Sequence, residues 1–97
     1  MIDKQEAYRI ANDKIINMHR LYDFEVRIID EATLEYDFGW VFFYNSKDYL
    51  ENGNFSSCLA GNAPIIVDRY NGSVHITGTA RQISFYVDEY VKKRSTL

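Results

Sequence analysis

Apolar and polar side chains alternate along residues 33–45, as they do along a β-strand, whose successive side chains point to opposite faces. The even-numbered positions from Leu34 to Tyr44 are all apolar or aromatic. The odd-numbered positions begin polar and become apolar only at Val41 and Phe43. This pattern predicts one long strand centred on Trp40, with one buried face and a second face that turns apolar in its middle.

Two long helices are predicted near the ends of the chain. Asp3 and Glu6 resemble a capping box, and the apolar residues that follow recur every three or four positions, which predicts a helix to about His19. The same spacing predicts a second helix over about residues 82–93. Its apolar positions are Ile83, Tyr86, Val87, Tyr90 and Val91.

The segment after the long strand is predicted to contain a short helix. A structureless loop over 45–62 would be unusually long for a compact domain. Ser46 is a favourable helix cap, and Asn52 with Gly53 is typical of a helix end. We therefore expect a helix at about residues 47–51 and a loop over residues 54–61.

Three shorter patterns complete the predicted sheet. Residues 24–30 alternate as a first strand, to which the long strand returns antiparallel. Residues 65–67 form an apolar run, and an Asn-Gly pair at 71–72 predicts a hairpin to a strand at 73–77. The fold class is therefore α+β. We expect a four-stranded, mainly antiparallel sheet with both long helices on one face and the short helix between strands 2 and 3.

Composition and charge narrow the function classes. Ninety-seven residues, 46% of them hydrophobic and 15% aromatic, predict one globular domain spanning residues 1–97. A net charge of −3 disfavours nucleic acid as a partner, and no run approaches the roughly 18 apolar residues of a membrane helix. A single cysteine and a polar amino terminus favour the cytoplasm.

Candidate chemistry is sparse. His19 and His75 lie in different predicted elements and lack ligands at metal-binding spacing, so we expect no metal or other cofactor. Ser57 and Cys58 lie in a loop, but no neighbouring histidine would activate them. The residues predict a protein that is not an enzyme.

Surface character offers the only sequence signal for a partner. With both helices on the Trp40 face, the other face would carry an open apolar patch beside charged groups, which is typical of an interaction site. Alternatively, the loop at 54–61 or the short helix folds over it. Acidic residues that flank the turns at the strand ends add a possible docking surface for a basic partner. The expected partner-contact residues are Arg27, Ile29, Val41, Phe43, Ile66, His75, Asp48 and Glu51.

Three linked blocks resemble a known family. The blocks are Gly39-Trp40-Val41-Phe42-Phe43-Tyr44-Asn45-Ser46, Leu59-Ala60-Gly61-Asn62-Ala63-Pro64-Ile65-Ile66-Val67-Asp68, and Gly72-Ser73-Val74-His75 with Thr77-Gly78-Thr79-Ala80. Together they resemble the immunity protein 35 family, also described as YrhB-like domains, over roughly residues 5–91. Ala63 departs from the family pattern, which has glycine at this position.

The resemblance implies a bacterial cytoplasmic protein that binds and neutralises a cognate toxin of a polymorphic toxin system by occlusion, without catalysis. It does not identify the contact residues, because immunity surfaces must differ between pairs to be specific. The alternative is a small chaperone-like or structural domain that forms a homodimer.

Overall fold

The computed structural model describes residues 1–21, 24–59 and 62–95. Its elements follow in chain order, with 3₁₀ turns at Asp30–Ala32 and Phe55–Ser57. They are α1 (Lys4–Met18), β1 (Val26–Ile28), β2 (Leu34–Tyr36), β3 (Gly39–Phe42), β4 (Tyr44–Ser46), α2 (Lys47–Asn52), β5 (Ile65–Asp68), β6 (Val74–Ile76) and α3 (Ile83–Ser95). The predicted α+β class is confirmed, with antiparallel sheets and helices near both termini.

The strands form a four-stranded sheet in the order β2-β3-β5-β6 and a two-stranded sheet of β1 and β4. All neighbours are antiparallel. The predicted long strand at 33–45 is wrong, because the chain reverses at residues 37–38 and β2 pairs back onto β3, with Tyr36 opposite Gly39. The even-numbered aromatics therefore do not share one face. Trp40 and Phe42 belong to one core cluster and Phe38 to another.

The two long helices lie on opposite faces of the four-stranded sheet, so the expectation of both on one face is wrong. Helix α1 buries Ala7, Ala11 and Ile15 against the cluster that holds Trp40 and Phe42. Helix α3 buries Val87 against Phe38, Val41 and Ile66 on the other side. Residues 65–67 of β5 are buried on both faces, which explains their continuous apolar run.

Local capping fixes three of the predicted helix boundaries. Asp3 accepts a hydrogen bond from the backbone N–H of Glu6 at 2.8 Å, which confirms the start of α1. Ser46 caps α2 by accepting from the N–H of Tyr49, and Gly53 ends α2 in the left-handed conformation. No described helix is long and apolar enough to cross a membrane.

Gly39 is the residue that the β2–β3 hairpin requires. Its φ is +149°, which side chains rarely adopt, and an added Cβ would lie 2.0 Å from the carbonyl oxygen of Val67. No described residue other than glycine has a positive φ, so Ala63 adopts an ordinary backbone conformation. Its departure from the family pattern therefore carries no backbone strain here.

Candidate functional site

The structure separates the eight expected partner-contact residues into three places. Val41, Phe43 and Ile66 lie on the α3 side of the sheet, His75 lies on β6, and Arg27, Ile29, Asp48 and Glu51 lie on or beside β1 and α2.

The expected open face of the sheet is covered. The exposed fractions of Val41 and Ile66 are 0% and 2%, and Phe43 is half-buried in the same cluster beneath α3. The covering element is α3, whereas the sequence suggested the loop at 54–61 or the short helix. Residues 60 and 61 of that loop lie outside the described residues. That the remaining residues contact a partner stays a prediction.

A groove of about 900 Å³ separates β6 from α3, and Asp68 lies at its base with an exposed fraction of 1%. Its carboxylate accepts hydrogen bonds from Tyr90 Oη and Arg94 Nε, both at 2.6 Å, and from the N–H of Tyr70. Burial raises the pKa of Asp68, but these hydrogen bonds, led by that of Arg94, outweigh it and lower the pKa to about 2. Asp68 therefore fastens α3 to the β5–β6 hairpin.

The same groove contains a serine and a histidine in contact. Ser73 Oγ lies 2.8 Å from His75 Nε2, and the His75 ring packs against Tyr90 with centroids 4.8 Å apart. A nucleophile–base pair requires a third group that orients the base. Asp68 is held by Tyr90, Arg94 and the Tyr70 N–H. No described hydrogen bond links His75 to a carboxylate.

The segment that follows α2 is fixed by a hydrogen-bond network around Asp48. Its carboxylate accepts from Ser57 Oγ at 2.6 Å, from Asn52 Nδ2 at 2.8 Å and from Asn54 Nδ2 at 2.9 Å. These bonds, that of Ser57 first, lower the pKa of Asp48. In addition, Ser46 Oγ donates to the carbonyl of Ser57 at 2.5 Å. The turn at Phe55–Ser57 is therefore tied to the amino-terminal end of α2.

This network holds an aromatic ring in solvent. The exposed fraction of Phe55 is 81%, and its only ring contact among the described residues is the edge of Tyr49, at 5.7 Å between centroids. Phe55 lies in the predicted loop at 54–61, and its sequence pattern did not indicate a fixed, exposed ring. The missed signal is Asn54, which caps the turn by accepting from the N–H of Ser56.

Charged groups lie on β1 and α2, near the segment that carries this ring. Arg27 Nη1 and Glu51 Oε1 form an ion pair at 2.5 Å across β1 and α2, and both side chains remain nearly half exposed. Phe24 lines a hollow of about 410 Å³ together with Asp48 and Glu51. We call Phe24, Arg27, Asp48, Glu51 and Phe55 the α2 surface. It combines exposed aromatic rings with charged groups at its rim, which is the usual anatomy of a protein interface.

The described residues contain no group of three or more histidine, cysteine, aspartate or glutamate side chains that could hold a metal ion. Cys58 is exposed, and its sulfur contacts Asn45 Nδ2 at 3.7 Å and the carbonyl of Leu59 at 3.9 Å. Neither contact activates a thiol, because a thiolate is favoured by nearby positive charge or a base.

Comparison with known proteins decides the family. The sequence model of the family described as immunity protein 35 matches residues 5–90. The chain belongs to the immunity protein 35 family. The chain is also 32% identical to the uncharacterised protein YrhB of Escherichia coli (strain K12) over 96 residues, which cover 99% of this chain and 96% of the relative. No solved structure matches this chain.

Membership of the immunity protein 35 family indicates a toxin-neutralising role. The matched region contains the whole α2 surface and the groove-lining residues as far as Tyr90. Arg94, which completes the hydrogen-bonded cluster at Asp68, lies outside it.

Proposed function

We propose that this chain is a cytoplasmic immunity protein of a polymorphic toxin system, which binds a cognate toxin and neutralises it by occlusion, without catalysis. The observation that carries the proposal is the family match over residues 5–90. Binding alone accounts for the side chains described, because Cys58 lacks an activating neighbour and His75 lacks a hydrogen-bonded carboxylate among the described contacts.

The α2 surface is our candidate for the toxin contact. Immobilising a loop during association costs free energy, so a segment that is already fixed binds more favourably. The hydrogen bonds from Ser57, Asn52 and Asn54 to Asp48 fix this segment in the free protein. Aromatic side chains are enriched at protein interfaces, and Phe55 is an exposed aromatic on this fixed segment.

The proposal is tested by co-expression with a toxin encoded in the same gene cluster. We expect the wild-type chain to restore growth and to purify with the toxin as a stoichiometric complex. Phe55→Ala should weaken the complex by about 2 kcal/mol, or roughly 30-fold in Kd, because truncation of a central aromatic anchor costs this much.

Phe85→Ala is the matched control, since Phe85 is an exposed aromatic on α3 and the side-chain change is identical. Both variants should retain the circular dichroism of the wild type. Failure of the wild type to protect or to bind any co-encoded toxin would reject the function. Normal binding by Phe55→Ala together with loss of binding by Phe85→Ala would reject only the α2 surface.

A further inference from the structure

Strand β6 is an open edge of the four-stranded sheet, pairing with β5 and with no other described strand. The N–H of Asp68 bonds to the carbonyl of Ser73, and the N–H of Thr77 bonds to the carbonyl of Pro64. Because hydrogen-bonded positions alternate along an antiparallel ladder, the backbone N–H and C=O groups of His75 also point towards β5. The backbone N–H and C=O groups of Val74 and Ile76 therefore point outward.

Apart from the short length of β6, this edge lacks the features that usually prevent strands from pairing with other chains. Natural edge strands are protected by lysine, proline, bulges or inward-pointing charges. The stretch from Ser73 to Thr77 contains none of these, and Ile76 is 48% exposed. The opposite edge strand, β2, carries Glu35, which is paired with Arg69.

The edge is complementary to itself. The residues Ser73-Val74-His75-Ile76-Thr77 read nearly the same in both directions, with a hydroxyl residue at each end and a β-branched residue on each side of the histidine. Antiparallel pairing about a two-fold axis at His75 would place Val74 opposite Ile76 of the other copy and Ser73 opposite its Thr77. Pairs of β-branched residues and pairs of Ser with Thr are favourable across strands.

We propose that the chain forms a homodimer by antiparallel pairing of β6 with β6 of a second copy, centred on His75. The outward groups of Val74 and Ile76 then form four backbone hydrogen bonds across the axis, and the two four-stranded sheets become one of eight strands. The exposed part of Ile76 is covered by Val74 of the other copy. The groove of about 900 Å³ beside β6 leaves space on the α3 side for the second His75.

The proposed dimer leaves the α2 surface free. Helix α2 packs beside the two-stranded sheet of β1 and β4. Strand β6 is an edge of the other, four-stranded sheet. The inference is therefore independent of toxin binding and predicts two toxin sites per dimer. Because pairing of a five-residue edge buries little surface, the dimer should be of the weak class, with a Kd between about 1 µM and about 1 mM.

Analytical ultracentrifugation of the full chain from about 5 µM to about 1 mM tests the dimer. The mass should rise with concentration from 11.4 kDa towards twice that value. Ile76→Lys should raise the Kd at least about tenfold, because it places a charge against Val74 of the other copy. Val91→Lys makes the same kind of change at a position that is 47% exposed on α3 and should leave the Kd unchanged.

A disulfide variant gives a second readout that does not depend on how Ile76→Lys folds. Residues at the non-hydrogen-bonded axis position approach to about 4.5 Å between Cα atoms, which suits a disulfide. In a Cys58→Ser background, glutathione disulfide should therefore oxidise His75→Cys to a covalent dimer of two chains. The glutathione disulfide is reduced as the two thiols are joined. Thr79→Cys, also exposed, should not. A monomeric mass up to about 1 mM, or equal cross-linking of both variants, would overturn the proposal.

Discussion

Asp68→Asn tests how the carboxyl-terminal helix is held to the sheet. The substitution keeps the size of the side chain but removes the charge that Arg94 and Tyr90 contact, both at 2.6 Å. The carboxylate has an exposed fraction of only 1%, so solvent does not screen it strongly. The expected result is a large loss of stability that depends on pH.

The magnitude follows from the pKa of Asp68. That pKa is about 2 in the folded protein and is about 3.9 for an unperturbed aspartate. At about 1.36 kcal/mol for each pKa unit, the ionised carboxylate contributes about 2.5 kcal/mol to folding at pH 7. The folded carboxyl has the lower pKa, so this contribution is complete above about pH 5 and is lost as the pH falls towards 2.

Urea unfolding of wild type and Asp68→Asn at several pH values measures this contribution. Other carboxyls with lowered pKa values, including Asp48, are common to both proteins and cancel in the difference. We expect a difference of about 2.5 kcal/mol at pH 7 that narrows to below about 1 kcal/mol at pH 2.5. A difference that is the same at both pH values would show that the charge of Asp68 does not hold α3.

Two further substitutions test the core and the hairpin by the same urea unfolding at pH 7. Trp40→Ala should cost about 3–5 kcal/mol, because the buried indole packs against α1 and beneath the Arg69 guanidinium, and a near-normal stability would refute this placement. Gly39→Ala should cost about 4 kcal/mol or more, because its Cβ would meet the Val67 carbonyl at 2.0 Å. Gly53→Ala, with no atom within 4 Å of the added Cβ, should cost only about 1–2 kcal/mol, and similar costs for both would contradict the close approach at Gly39.

The helices could be predicted because their signals are local. Asp3, Ser46 and Gly53 act through hydrogen bonds and backbone angles within a few residues, and each occupies its expected place. The β2–β3 hairpin could not be predicted in the same way. Its reversal passes through Asp37 and Phe38 without the Asn-Gly or Asp-Gly pair that marks a two-residue hairpin, and apolar alternation continues across the turn.

The side of the sheet on which α3 packs depends on contacts between distant residues. Even so, one signal was present, because the apolar run at 65–67 is typical of a strand that is buried on both faces. This run would have argued against an open face carrying Val41 and Ile66. The candidate site was predicted only in part. Arg27 and Glu51 are exposed charges beside α2 and Asp48 is half-buried, but the position of the Phe55 ring depends on a network that joins residues 46–57.

Hydrogen exchange of the chain with and without its co-encoded toxin, measured by mass spectrometry, tests toxin binding most directly. Wild-type complex at saturating toxin should show slower exchange of backbone amides over residues 47–57, at the α2 surface, than the free chain. Exchange over α3 should remain unchanged, since α3 packs on the four-stranded sheet whereas α2 packs beside β1 and β4. The toxin used should be active, that is, it should inhibit growth when the chain is absent. No change in exchange anywhere in the chain with such a toxin would contradict the account.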